Sequence, residues 1–582
     1  MRLVMTAGMM VLLSAVAVAP AHAKTKPKVL YVKATAKPGG TGSLWAPFDD
    51  LASVQKASRP GQIIMVLPSR AALDGGIELK RGQQLVGAGR AVAGRTEKLK
   101  RLPALQNTTD ANIDGDAIRL AKKASVRNIA VRTAHRGGIY GLDTTGVKIV
   151  GNDITQTNTS CTNGFLVQPF NVPTGVPGVM VPASPAVAPQ NGWASIMVDG
   201  EEAHGSIAIR RNQVHDSSCA DGIDIRAMGK AKLVAKLVRN RVTHIEQGNA
   251  GEETGAVGSV LAIGMQALEE AELRVSQNRN RQTFIGSEGA DCEGQFANTA
   301  GSGQIYETVN HNTFAHGIGG FSCNGFETIV STGDGTIDLV LKNSTFLDNQ
   351  GDMFEEGNLG AGSTMRFVAK NVLVDGTHER GGNPPGSSDG GNNPVPFNIG
   401  DCMVAGHNGA GNSTTFVMRN SVFQNCNNGL SLLANVGQGN GSGPSEELVA
   451  DITSSVITGN AKYGIHVAND TPMDAMHVRI AATEISGNGG RGASFEIPTG
   501  ALGGPTDVSL DLGGGALGSA GGNCLFGNGA ADLEANNLPV VADDNWWGQP
   551  GDPQPGQTAT SGTGTISSGG GLSAEPGCGL PS

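Results

Sequence analysis

Short runs in which apolar and polar residues alternate recur along the chain: Ile223-Asp224-Ile225-Arg226, Leu430-Ser431-Leu432 and Ile465-His466-Val467, each following a glycine (Gly222, Gly429, Gly464). Alternation of period two marks a half-buried strand, so Ile223 and Ile225 are expected to point inward and Asp224 and Arg226 outward. A second phrase precedes several of these runs: Val-Arg-Asn-Ile (126–129), Ile-Arg-Arg-Asn-Gln-Val (209–214), Leu-Val-Arg-Asn-Arg-Val (237–242), Val-Asn-His-Asn-Thr-Phe (309–314) and Val-Met-Arg-Asn-Ser-Val-Phe (417–423). The phrases return with a period of roughly 27–34 residues, which means a solenoid.

One such unit has too few inward side chains to bury its own apolar face, so it must stack on the next. Helical repeats of similar length need long runs at 3.6 spacing. Here Gly, Asn, Ser and Thr interrupt every few residues, and Gly alone numbers 87 of 582. A coiled stack of parallel strands is the arrangement left. Asn128, Asn152, Asn212, Asn240, Asn312, Asn343, Asn371 and Asn420 are expected to form a ladder at a corner, each amide bonding the same side chain one coil away. Both ends of such a stack need covering. Residues 47–58 read as a short amphipathic helix whose Phe48, Leu51 and Val54 close the first opening, and Asn545-Trp-Trp-Gly supplies large rings at the other end.

At Gly40-Thr-Gly-Ser-Leu-Trp-Ala-Pro-Phe, Arg59-Pro-Gly-Gln-Ile-Ile, Gly76-Ile-Glu-Leu with Leu85-Val-Gly-Ala-Gly, and Asn545-Trp-Trp-Gly, the chain resembles the pectin-lyase-like superfamily. The resemblance spans residues 28–548. It implies an all-β, single-stranded right-handed parallel β-helix with a short N-terminal capping helix. The domain reading is a signal peptide at 1–23, the β-helix at 24–548 and a Gly/Pro/Ser-rich tail at 549–582, which has too few apolar residues for a core. It does not imply one activity, because that superfamily holds lyases, glycosidases, epimerases and adhesins.

Arg2, the apolar stretch 3–19 and Ala21-His-Ala23 have the layout of a secretory signal, so a secreted product, extracellular or periplasmic, is expected. No later stretch approaches the ~20 apolar residues of a membrane span. Eight cysteines in an exported chain suggest disulfides. Only neighbouring coils meet in a solenoid, which favours consecutive partners: Cys161–Cys219, Cys292–Cys323, Cys402–Cys426 and Cys524–Cys578. A net charge of −10 argues against a nucleic-acid partner.

Candidate chemistry gathers around the Pro-rich insertion 161–195, which brings Phe165, Phe170 and Trp193 to the edge of the stack, either as a Pro-stiffened cover over apolar side chains, the simpler reading, or as one wall of a sugar-binding groove. With six prolines the insertion is expected to be unable to add regular ladder hydrogen bonds. Just beyond it, Ile196-Met-Val-Asp199 and Ile223-Asp-Ile-Arg226 align as adjacent strands. Strand geometry then sets Asp199 beside Arg226 and about 8 Å from Asp224. An inverting glycosidase needs carboxylates roughly 6.5–9.5 Å apart. Asp199 and Asp224 are therefore the candidate acid and base, with Arg226 holding a substrate carboxylate. The segment Ala220-Asp221-Gly-Ile-Asp224 resembles the Asn-Thr-Asp-Gly-Ile-Asp segment of polygalacturonases, which implies a substrate-contacting Asp221, although Cys219-Ala220 replaces Asn-Thr. A surface ion pair between Asp199 and Arg226 is the simpler account.

Cations stand just before the ladder position at Arg127, Arg211, Arg239, His311, Lys342, Lys370 and Arg419, with Gly151 and Gln277 breaking the run. One such column, with Arg211 and Arg239 near its start, could track an anionic polysaccharide coil by coil, or deter edge-to-edge association. Acidic groups at 252–253, 269–272, 288–293 and 352–356 are expected in solvated turns. No cofactor is required, and Ca2+ is the ion their oxygens would suit. The functional expectation is recognition of an extracellular, acidic polysaccharide; whether it is also depolymerised stays open, and an enzyme here would be a polysaccharide lyase or glycoside hydrolase. The alternative is a non-catalytic, adhesin-like surface protein.

Overall fold

The protein is a parallel β-helix. In the computed structural model the described residues are 28–88, 102–166, 171–173, 180–182, 190–246, 259–286, 291–317, 323–349, 351–377, 400–407, 410–434, 445–469, 472–498, 501 and 503–579. The proposed signal segment lies outside them. The strands form three long sheets, here A, B and C, of 17, 13 and 18 strands. Pairing is parallel throughout, except in one excursion described below. Sheet A opens with Val29–Val32, which the repeat phrases did not reveal.

A typical coil shows why stacking is obligatory. Lys232–Val238 buries Leu233, Ala235 and Leu237, and Arg241–Glu246 buries Val242 and Ile245. Each large aliphatic is worth about 1.5–3 kcal/mol only once it is covered from both sides along the axis. The helix Leu51–Ala57 covers the first coil with Leu51 and Val54, and Asp50 caps it by accepting from the Ser53 amide at 2.6 Å. Trp547 fills the opposite end, 1% exposed. Beyond it Thr558–Ser561 and Thr565–Ser567, in the Gly/Pro/Ser-rich stretch, still pair with sheets C and A. All four disulfides join the consecutive cysteines expected.

The corner between sheets A and B holds the ladder. Asn152, Asn212, Asn240 and Asn280 each donate Nδ2 to a main-chain carbonyl or the next amide, and Asn212, Asn240, Asn280 and Asn312 accept the preceding coil's N–H. The column continues through Ser344, Ser421, Ser455, Asn523 and Asn545. Asn128, Asn343, Asn371 and Asn420 are not members. They sit one residue earlier at positive φ, where Arg211, Arg239, Arg279 and His311 stand on other coils. Asn suits both positions, one for its amide and one for its tolerance of left-handed backbone, so the repeat phrase merged two columns.

The lumen changes character along the axis. Its aliphatic first half gives way to a polar knot: Gln277 donates to Gln295 at 2.5 Å and to Glu307 at 2.7 Å, and Gln295 donates to Glu307 at 2.7 Å. Glu356, expected in a solvated turn, also faces inward, in register with Thr328 and Ala405, and Glu293 is buried as well. Beyond the knot come stacked phenylalanines, with Phe346 and Phe354 centroids 4.5 Å apart and Phe367 and Phe416 5.6 Å apart.

Two outcomes test this arrangement. Asn240→Ala strips partners from Asn212 N–H and Nδ2 and from the Ile209 carbonyl, and should cost about 3 kcal/mol in denaturant unfolding. Asn240→Ser, the residue used farther along, should recover part of that loss. Burial pushes the Glu307 carboxyl up to about 7, against an ordinary 4.5. Between those values the folded chain keeps a proton that the unfolded chain has released, so stability should fall as pH rises through this window and then level off. Glu307→Gln should flatten the melting-temperature profile there.

Candidate functional site

Asp199 and Arg226 are register partners on adjacent strands of sheet C, Ile196–Gly200 and Ile223–Ala227, as the sequence alignment of these strands requires. Arg226 donates Nε to Asp199 Oδ1 at 3.2 Å and Nη2 to Oδ2 at 3.0 Å. Tyr140, one coil earlier, donates its hydroxyl to Asp199 Oδ2 at 3.4 Å. Its ring meets Trp193 edge-on at 5.1 Å, and the Arg136 guanidinium lies 4.1 Å from the Trp193 ring centre. Asp116 in turn binds Arg119 and Arg136, each at 2.8 Å. Trp193 is thus packed into a network of rings and ion pairs. Phe170 and the side chain of Phe165 lie outside the described residues.

The insertion does form ladders, antiparallel ones. Asn163–Leu166 pairs with Gln190–Gly192, and Asn171–Pro173 with Met180–Pro182. The prolines do not stop pairing within the excursion, and its proline-free last strand also joins sheet C in parallel, with Asn191 opposite Ser259. The last strand places Asn191 against Asp221, whose Oδ2 accepts from Asn191 Nδ2 at 2.5 Å and whose Oδ1 accepts from the Leu261 amide at 2.9 Å. Asp224 lies beside Asp221 and opposite Gly264, where a Cβ would come within 2.4 Å of Asp224 Oδ1. A glycine is needed there to leave room for the carboxylate.

Asp224 lies on the outer face as expected, but that face is closed over the middle coils. Asp221 and Asp224 are 0% exposed and Asp199 2%, while Met197, Gln266 and Asn298 around them are buried too. Burial raises the pKa of all three aspartates. For Asp224 the charges of Asp221 and Asp199 add to the effect, and for Asp199 burial outweighs Arg226. The pair expected to be an exposed acid and base is instead an enclosed acidic cluster beside a buried ion pair.

An open site lies at the A–B corner. A groove of about 640 Å³ crosses five successive coils and is lined by Arg127, Lys148, Arg210, Arg211, Arg239 and Arg279, with Val150, Ala208, Val238 and Asn278 between them. Among the described residues none of these six cations forms an ion pair. Arg211, Arg239 and Arg279 stand at φ 56°, so each projects from the turn itself. The single cation column is therefore two adjacent ones. Arg127, Lys342, Lys370 and Arg419 end strands in register with Arg210, whereas Arg211, Arg239 and His311 occupy the turn. Arg210, Arg279 and Lys148 were missed. Arg279 was legible once Asn280 rather than Asn278 is recognised as the ladder residue.

Compared with known proteins, the sequence matches no protein-family model and no curated protein. The residues themselves therefore carry the functional reading. Arg226→Ala leaves Asp199 buried without its cation, and should lower stability by about 3–5 kcal/mol in urea unfolding, with Asp199→Asn/Arg226→Met restoring much of it.

Proposed function

We propose that this protein is an exported rod that recognises an extracellular acidic polysaccharide along the A–B corner. The observation that carries this reading is the groove: six cations without an acidic partner, on a chain whose net charge is −10. Same-sign charge in a concave surface focuses the field and concentrates counter-ions there. Neighbouring coils are about 4.8 Å apart, so the five-coil groove offers a cationic track about 19 Å long, parallel to the axis. A linear polymer with one anion per sugar fits such a track, and the guanidinium fork suits planar carboxylates. Four disulfides fit an oxidising compartment, and the resemblance to the pectin-lyase-like superfamily supports a polysaccharide as the ligand class.

The enclosed Asp199, Asp221 and Asp224 favour binding without cleavage, the adhesin-like mode, over hydrolysis. The test is retention on immobilised polygalacturonate against neutral dextran. Wild-type protein should bind the polyuronate, release it at high salt and ignore dextran. Arg211→Glu/Arg239→Glu should weaken binding by roughly tenfold or more. Equal binding by that variant, or equal retention on dextran, would defeat the proposal. Release of reducing ends by wild type but not by Asp224→Asn would establish the hydrolase reading instead.

A further inference from the structure

We infer, on the polysaccharide reading of the groove, that the polymer held at the A–B corner carries two anions per sugar, an ester sulfate or phosphate beside the carboxylate, and that Arg241 and Arg281 on sheet B recognise the second one. Three successive coils each present two arginines at the corner: Arg210 and Arg211, Arg239 and Arg241, Arg279 and Arg281. All six are exposed, and among the described residues none of them forms an ion pair. Coils are about 4.8 Å apart, close to the rise of one sugar along an extended chain, so this stretch offers two cations for each sugar. A polyuronate supplies one carboxylate there, and half of the cationic charge stays unanswered.

The second row lies across the ridge from the groove. Arg211, Arg239 and Arg279 line the groove from the turn at φ 56°, whereas Arg241 and Arg281 open the sheet B strands Arg241–Glu246 and Arg281–Ile285. Only Asn240 or Asn280 separates the two rows, and both are buried in the ladder, so no side chain rises between them. Two residues of chain span at most about 7 Å, a width that one sugar substituted at two positions crosses. Arg241 and Arg281 are also direct register partners, and like charges opposite each other on neighbouring strands repel. A tetrahedral oxyanion between them accepts hydrogen bonds from both guanidiniums and relieves that repulsion. In the same register Gln213 precedes this pair and Thr313 follows it, which confines the second anion's site to two coils.

The experiment measures the affinity of the full chain for three probes built on one backbone: polygalacturonate, the same polymer sulfated at its free hydroxyls, and the same polymer phosphorylated there. At about 0.15 M salt a doubly charged form should bind about tenfold or more tightly than polygalacturonate, and its affinity should fall more steeply as salt rises. The larger gain of the two identifies the ester. Arg241→Gln/Arg281→Gln should remove most of that advantage. Lys122→Gln/Lys123→Gln, which takes the same charge from exposed positions in the turn before Ser125–Arg127, should keep it. The inference is overturned, with the groove reading left standing, by any of three results: the arginine variant retains the preference, the lysine variant loses it as fully, or wild type binds polygalacturonate without gain from either ester. Failure of wild type to bind any of the three polymers defeats both.

Discussion

The buried amide at the A–B corner is the constraint from which the rest of the molecule follows. A chain turning sharply inside a dry stack strands main-chain N–H and C=O groups that water cannot reach, and each would cost a lost hydrogen bond. Asn152, Asn212, Asn240 and Asn280 resolve this by spanning two coils at once, accepting from one and donating to another. That exchange works only at one register. It therefore fixes how coils superpose, how sheet A is aligned, and which side chains become lateral neighbours on all three sheets. Serine performs a reduced version, with a hydroxyl meeting the adjacent coil's amide at Ser344, Ser421 and Ser455.

Much of this was legible in the sequence because period two and coil length are both written in residue type. Ile223 and Ile225 lie inside, Asp199 stands opposite Arg226, and the cysteines pair in order. Less legible was anything decided by contacts beyond one coil. Asn serves both the ladder and the left-handed turn, so Asn343 and Asn371 were placed in the wrong column. The acids Glu307 and Glu356 face inward because strand parity says so, against the rule that charged residues seek water. The closure of sheet C over Asp224 is a property of the assembled face, and no local phrase announces it.

The rod consequently presents two unlike sides. In the groove at the A–B corner, six cations from strands and turns gather with no ion-pair partner among the described residues, which leaves their charge available to a ligand. On sheet C, acids, amides and rings are consumed by one another: Arg226 by Asp199, Arg136 by Asp116 and Trp193. The first arrangement suits reversible contact with something charged. The second suits fixing an excursion to the scaffold. Both are outcomes of the same coil-on-coil registration, read on different faces.

The knot of Gln277, Gln295 and Glu307 has a mechanical corollary. It breaks the oily filling between an aliphatic stretch and the stacked phenylalanines, and a second inward polar group, Asn358, His407 and Thr414, follows it. In a linear array, cooperativity passes only between nearest neighbours. At that seam adjoining coils are joined by hydrogen bonds between side chains, where on either side they are joined by oily contact, so the coupling along the rod changes in kind from one coil to the next.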